Sequence, residues 1–123
     1  MCTKLTISVV VCAHTLDRLS HIRKMVCSVK DQTYSLYSLI IVCDYSDALH
    51  AVLEAEYPDI PIQKNVFEKG LSGARNTGIQ NAQGDIIAFL DDDAIAQPNW
   101  LEKIAAVYDD PSIMAVGGHI EPE

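Results

Sequence analysis

Residues 84–100, GDIIAFLDDDAIAQPNW, run an apolar segment, Ile86 to Leu90, straight into three adjacent carboxylates, Asp91, Asp92 and Asp93. A short apolar run bounded by polar residues reads as a strand buried on both faces, of the kind found inside a parallel sheet. Its end is then a sheet edge that faces a ligand or solvent. With neighbouring carboxylates about 6 Å apart and an effective dielectric near 20, each adjacent pair repels by ~3 kcal/mol. A chain that keeps three of them together is expected to place a cation among them. If the backbone stays extended through Asp93, Asp91 and Asp93 project to one side and Asp92 to the other, a D-x-D arrangement of two convergent carboxylates. Hard divalent ions such as Mg2+ and Mn2+ take oxygen ligands and are commonly held by one or two carboxylates plus substrate phosphates. The cluster is thus a candidate metal–nucleotide site; the alternative is a solvated acidic loop that caps the next helix.

Outward from this stretch, strands and helices alternate. TISVVVC (Thr6 to Cys12) is a β-branched apolar run and reads as a strand. Leu19, Ile22, Val26 and Val29 then share one helical face, with Thr15 or Asp17 available as the cap. SLIIVCD (Ser38 to Asp44) is a second buried strand ending in a carboxylate, Asp47 to Glu56 a short helix, and PDIPIQKN a turn with a brief edge strand. A helix from about Ser72 to Ala82 stops at Gly84. Pro98 suits the first turn of a helix over Asn99 to Tyr108, where Trp100 is read as packing, and Ser112 to Gly118 reads as a last strand. This order predicts an α/β fold, a mostly parallel sheet with helices on both faces, in one domain over residues 1–123. Ligands of such sheets bind outside the carboxyl ends of the strands, where the strand order reverses. Ala13-His14-Thr15, Asp44 and Asp91 to Asp93 all fall at such ends.

The charge distribution sharpens the reading. The formal charge is −8, and the excess lies in the last third, where residues 84–123 carry nine acids and the single base Lys103. An acidic surface without a basic patch argues against nucleic acid and for a bound divalent cation. No apolar run approaches the roughly 18 residues that a membrane span needs, and the N-terminus lacks a signal-peptide cleavage pattern. A cytoplasmic location is expected, with membrane association of a full-length enzyme left open. Cys12, Cys27 and Cys43 sit among apolar residues without C-x-x-C spacing and read as small buried hydrophobes in a reducing compartment.

Several other chemistries fit poorly. An EF-hand register places Asp91, Asp93, Asn99 and Glu102 at ligand positions, but Ala96 stands where glycine is required and the preceding segment is a strand. A phosphatase-type aspartate would end the first strand, where Cys12-Ala13-His14 stands, and a phosphate-receiving domain would need a late lysine that Lys103 does not supply. There is no Walker loop and no G-x-G-x-x-G.

The segments SVVVCAHTLDR, QTYSLYSLIIVCDYSD, GLSGARNTGIQNAQGDIIAFLDDD and QPNWLE together resemble the donor-binding half of family 2 glycosyltransferases, over Ser8 to Gly118. The resemblance implies the Rossmann-like GT-A fold, a three-layer α/β/α sandwich. It also implies transfer of a sugar from a nucleoside diphosphate donor, a UDP-sugar favoured, to a hydroxyl of a glycan, lipid or protein acceptor. By position it implies that Asp44 accepts a hydrogen bond from the nucleobase and that His14 lies against the base. Arg75 lies near the nucleotide, serving phosphate or supporting the acidic loop. Asp91 and Asp92 contact the ribose or open the D-x-D loop, and Asp93, with Asp91, binds Mn2+ or Mg2+ bridging the diphosphate. The first loop and the CDYSD loop depart from the usual family pattern, which bears on base recognition. In inverting members a general base deprotonates the acceptor, and it is expected beyond residue 123. Gly117-Gly118-His119 matches the passage from donor half to acceptor half, so the chain is read as a fragment that lacks the acceptor half, with an apolar surface open to self-association. Two other classes compete: a non-catalytic nucleotide-binding or structural remnant, for which an intact D-x-D loop is unnecessary, and a metal-dependent nucleotidyltransferase, which would show a Gly-rich basic loop after the first strand.

Overall fold

A computed structural model of the protein describes residues 5–110. Its elements are β1 (Ile7–Ala13), a 3-10 turn (Leu16–Arg18), α1 (Leu19–Lys30), β2 (Ser38–Cys43), α2 (Asp47–Glu56), β3 (Ile62–Lys64), α3 (Leu71–Asn81), β4 (Ile86–Asp91) and α4 (Trp100–Val107). The strand expected at Ser112 to Gly118 lies outside the described residues. Among those described, no helix is long and apolar enough to cross a membrane.

The four strands form one parallel sheet in the order β3-β2-β1-β4. β1 lies inside it, with Val10 opposite Ile40 on one side and Phe89 on the other. This explains why β1 is the most β-branched segment: Ile7, Val9, Val10 and Val11 are all buried, each worth roughly 1.5–3 kcal/mol relative to exposure. Side chains alternate between two unequal layers. Ile7, Val9 and Val11 face α1, α2 and α4 through Ile22, Met25, Val26, Val29, Leu49, Leu53 and Leu101. Val10, Ile40 and Val42 face α3 through Ala74. The fold is therefore three-layered and Rossmann-like, as expected.

The GLSGARNTGI segment has a direct packing meaning. Gly73, Ala74, Thr77 and Gly78 form the buried stripe of α3, and small residues there let the helix lie close against the sheet. A Cβ on Gly78 would sit 2.3 Å from Val10 Cγ1. Three expectations need correction. β4 is an edge of the sheet formed by the described residues and is not buried on both faces, since Phe89 is 40% exposed. Cys27 is exposed because it falls on the outer face of α1, whereas Cys43 is buried and Cys12 half-buried. Thr15 caps the short 3-10 turn, accepting from Asp17 N at 3.2 Å, and not α1 itself.

Candidate functional site

β1 is flanked by β2 on one side and β4 on the other, so the chain leaves its carboxyl end toward β2 and later crosses to β4. This reversal opens a crevice at the carboxyl ends of β1 and β4. The alternation that turns Val10 and Val42 toward α3 also turns Cys12, Asp44 and Asp91 to that side, and Cys12 and Asp91 are register partners. α3 contributes Arg75, whose guanidinium carbon lies 5.2 Å from the centre of the Phe89 ring. The Cys12 thiol lies within the field of all these groups. Burial pushes it up to about 11; Arg75 opposes the rise, while Asp44, Asp92 and Asp91 add to it.

Asp44 sits where β2 ends, its backbone N–H donating to Ala13 O at 2.8 Å. Its carboxylate accepts from Gly70 N at 3.0 Å and from Asn65 Nδ2 at 2.9 Å. Gly70 precedes α3 with φ +129°, a conformation that favours glycine, so Asp44 serves as a remote anion at the start of α3. Asn65 is buried and saturated: Nδ2 also donates to Glu68 O, and Oδ1 accepts from Phe67 N and from the Thr77 hydroxyl. Tyr45, the sole non-glycine with positive φ among the described residues, donates from its hydroxyl to Phe67 O at 2.5 Å. The 65–70 loop is therefore fixed from three directions around Asp44.

The acidic turn differs from its expected geometry. β4 stops at Asp91, and Ala94 N donates to Asp91 O at 3.1 Å, closing a turn over residues 91–94. Asp91 and Asp93 consequently do not project together from one extended strand. Asp92 turns inward and is buried, while Asp91 and Asp93 are exposed. The turn also pairs with a cation of the chain itself, Arg18, whose Nη1 lies 3.0 Å from Asp92 Oδ1 and 3.4 Å from Asp93 Oδ2. The hydrogen bond to Asp92, then the charges of Asp92 and Asp93, hold the guanidinium above its already high pKa. Sequence reasoning missed Arg18, although it follows the β1 loop that the strand-order rule selects. Asp92 Oδ2 is buried with no hydrogen-bond partner among the described residues.

Among the described residues, no group of three or more His, Cys, Asp or Glu could hold a metal by itself. One or two carboxylates completed by phosphate oxygens is the arrangement the turn can provide, and its all-oxygen donors suit Mn2+ or Mg2+. Arg75 does not pair with the acidic turn; it covers Phe89. His14 is exposed in the loop after β1, and Trp100 packs against the core beneath α4.

Comparison with known proteins adds to this geometry. The model of "Glycosyl transferase family 2" matches residues 8–122. A "Glucosyl-dolichyl phosphate glucuronosyltransferase" of Haloferax volcanii is 34% identical over 121 residues, 95% of this chain and 39% of that protein. "UDP-Glc:alpha-D-GlcNAc-diphosphoundecaprenol beta-1,3-glucosyltransferase WfgD" of Escherichia coli is 42% identical over 77 residues, 61% of this chain and 30% of its own. Among solved structures, TarS 1–349 of S. aureus in complex with UDP-GlcNAc superposes with a TM-score of 0.70 at 20% identity, over 97% of this chain and 37% of that one. The mannosyltransferase PcManGT of Pyrobaculum calidifontis, in complex with GDP-Man and Mn2+, gives a TM-score of 0.74 at 19% identity, over 90% of this chain and 34% of that one. The likeness to these structures is one of fold, GT-A, and the chain spans less than half the length of each of these relatives.

Proposed function

The chain belongs to glycosyl transferase family 2, and from that premise we propose that it is the donor-binding part of an enzyme that transfers a sugar from a nucleoside diphosphate, UDP favoured, to an acceptor hydroxyl. The observation that carries this reading is the gathering of Asp44, Arg75, Asp91 and Asp92 around Cys12 at the carboxyl ends of the strands, where strand order reverses, with Asp93 beside Arg18 on the same turn. Asp44 is held rigidly by Gly70 N and Asn65, so a carboxylate oxygen is presented in fixed orientation for a donor N–H of the base. Exposed Asp91 borders the ribose, Asp92, turned inward, serves the site through Arg18, and His14, exposed beside the first strand end, lies against the base.

Arg75 is exposed and its guanidinium is free to turn from Phe89 to phosphate oxygens, which its planar fork suits. Asp93 and Asp91 are the residues that would hold Mn2+ or Mg2+, and the unpartnered oxygen of buried Asp92 supports a positive group nearby. When bound, such an ion neutralises charge on the departing diphosphate. The transfer inverts the sugar's configuration, a carboxylate deprotonating the acceptor hydroxyl as general base. The relatives' UDP- and GDP-linked ligands support a nucleotide sugar as donor.

One observation favours a second reading. Arg18 already neutralises part of the acidic turn, as a structural loop without metal would require. Calorimetric titration with UDP and with GDP, with and without Mn2+, on the chain and on Asp93→Asn separates the two. Mn2+-dependent binding of one nucleotide, lost in the variant, is expected; no binding at millimolar nucleotide would favour the structural loop.

A further inference from the structure

The position of Arg18 bears on how the site fills. One guanidinium nitrogen is shared between Asp92 Oδ1 and Asp93 Oδ2, and the two carboxylates differ in freedom: the Asp92 side chain is 6% exposed, that of Asp93 48%. Arg18 is itself 43% exposed, on a three-residue turn just past β1. It can therefore swing outward without unpacking the core, whereas Asp92 cannot follow it.

We propose that Arg18 is a resident counter-cation that a divalent ion must displace, so that ion and nucleotide diphosphate bind cooperatively, the diphosphate taking up the guanidinium that Asp92 and Asp93 release. The inference rests on the donor-site reading above. Arg18 Nη1 lies 3.4 Å from Asp93 Oδ2, so a divalent ion held by Asp93 would be repelled by the guanidinium. An ion arriving alone must then separate Arg18 from its partners. A diphosphate changes the balance: it brings anionic oxygens to the same crevice, and the guanidinium fork pairs with them in two parallel hydrogen bonds. Ion and diphosphate thus each favour the other's binding, a coupling that must be reciprocal. Arg18 is a positioning residue for the acidic turn in the free protein and a phosphate ligand in the complex.

The test measures Mn2+ binding to the whole chain by the electron paramagnetic resonance of free Mn2+, alone and with UDP or GDP, in the wild type, Arg18→Gln and Arg18→Lys. In the wild type, the nucleotide should tighten Mn2+ binding by ~10-fold or more. Arg18→Gln should tighten binding of Mn2+ alone by ~5-fold or more and shrink the nucleotide's effect by a similar factor. Arg18→Lys should fall between. Unchanged or weaker Mn2+ binding in Arg18→Gln would overturn the proposal and leave Arg18 as a structural clamp. Should Arg18→Gln fail to fold, the wild-type cycle and Arg18→Lys decide: independent binding of ion and nucleotide overturns the idea equally. Absence of nucleotide binding to the wild type at any Mn2+ concentration rejects the donor-site reading and this inference with it. Nucleotide binding with Mn2+ affinity indifferent to Arg18 rejects this inference alone.

Discussion

Asn65 Nδ2 lies 2.9 Å from Asp44 Oδ1, and the remaining polar capacity of the buried Asn65 amide is used by Glu68, Phe67 and Thr77. The orientation of the candidate base-binding carboxylate is thus set by a side chain 21 residues further along. Asn65→Ala removes four hydrogen bonds at once, three of them part-buried and one buried, and should cost about 2–4 kcal/mol, read from urea denaturation. Nucleotide affinity of the folded variant should fall as well, because Asp44 loses one of its anchors.

Gly78→Ala tests how closely α3 lies on the sheet. On an exposed helix the change would gain about 1 kcal/mol. Here the new methyl group would meet Val10 Cγ1 at 2.3 Å, and overpacking of about 1–3 kcal/mol is expected instead. Val10→Ala in the same chain should recover part of the loss. Additive stabilities in a double-mutant cycle would show that the helix shifts freely.

Arg75→Met separates binding from folding. The exposed stacking on Phe89 is worth about 0.5–1 kcal/mol, so the melting temperature should move by a few degrees at most. Nucleotide diphosphate binding should weaken by tenfold or more, a loss of about 1.4 kcal/mol or greater. A large stability loss with unchanged binding would make Arg75 structural.

The cysteines supply a chemical and a pH test. Exposed Cys27 should react with a thiol reagent at pH 8, half-buried Cys12, pushed up to about 11, far more slowly, and buried Cys43, pushed up to about 12, only on unfolding. Both thiols start from 9.0 in the unfolded chain. Between pH 9 and about 12 the unfolded state therefore loses protons that the folded state keeps. Stability should be unaffected by these groups below pH 9 and fall as pH rises through that window. Cys43→Ala should flatten the decline.

Much of the architecture is legible in local pattern. The bounds of α2 follow from Ser46, whose hydroxyl accepts from Leu49 N, and from the spacing of Leu49 and Leu53. β1 follows from its β-branched run, because a strand inside a parallel sheet needs no polar face. What local pattern does not carry is pairing across distance. Arg18 and Asp92 are 74 residues apart, and nothing near either names the other. Nor does the DDD string reveal that the backbone turns after Asp91, since the closing hydrogen bond to Ala94 is open to most sequences. The exposure of Cys27 is equally hidden, because its apolar neighbours in sequence lie on other faces of the helix.

The position of β1 between β2 and β4 also sets an order of events. Ser8 meets Ser38 across 30 residues, whereas Thr6 meets Asp85 only across 79. Closing the longer loop costs more entropy before any contact rewards it, so the β4 edge should dock late in folding. Asp44 then belongs to an early-formed half, and the acidic turn to the last piece to arrive. A nucleotide spanning both would act after the folding barrier, slowing unfolding while leaving the folding rate nearly unchanged.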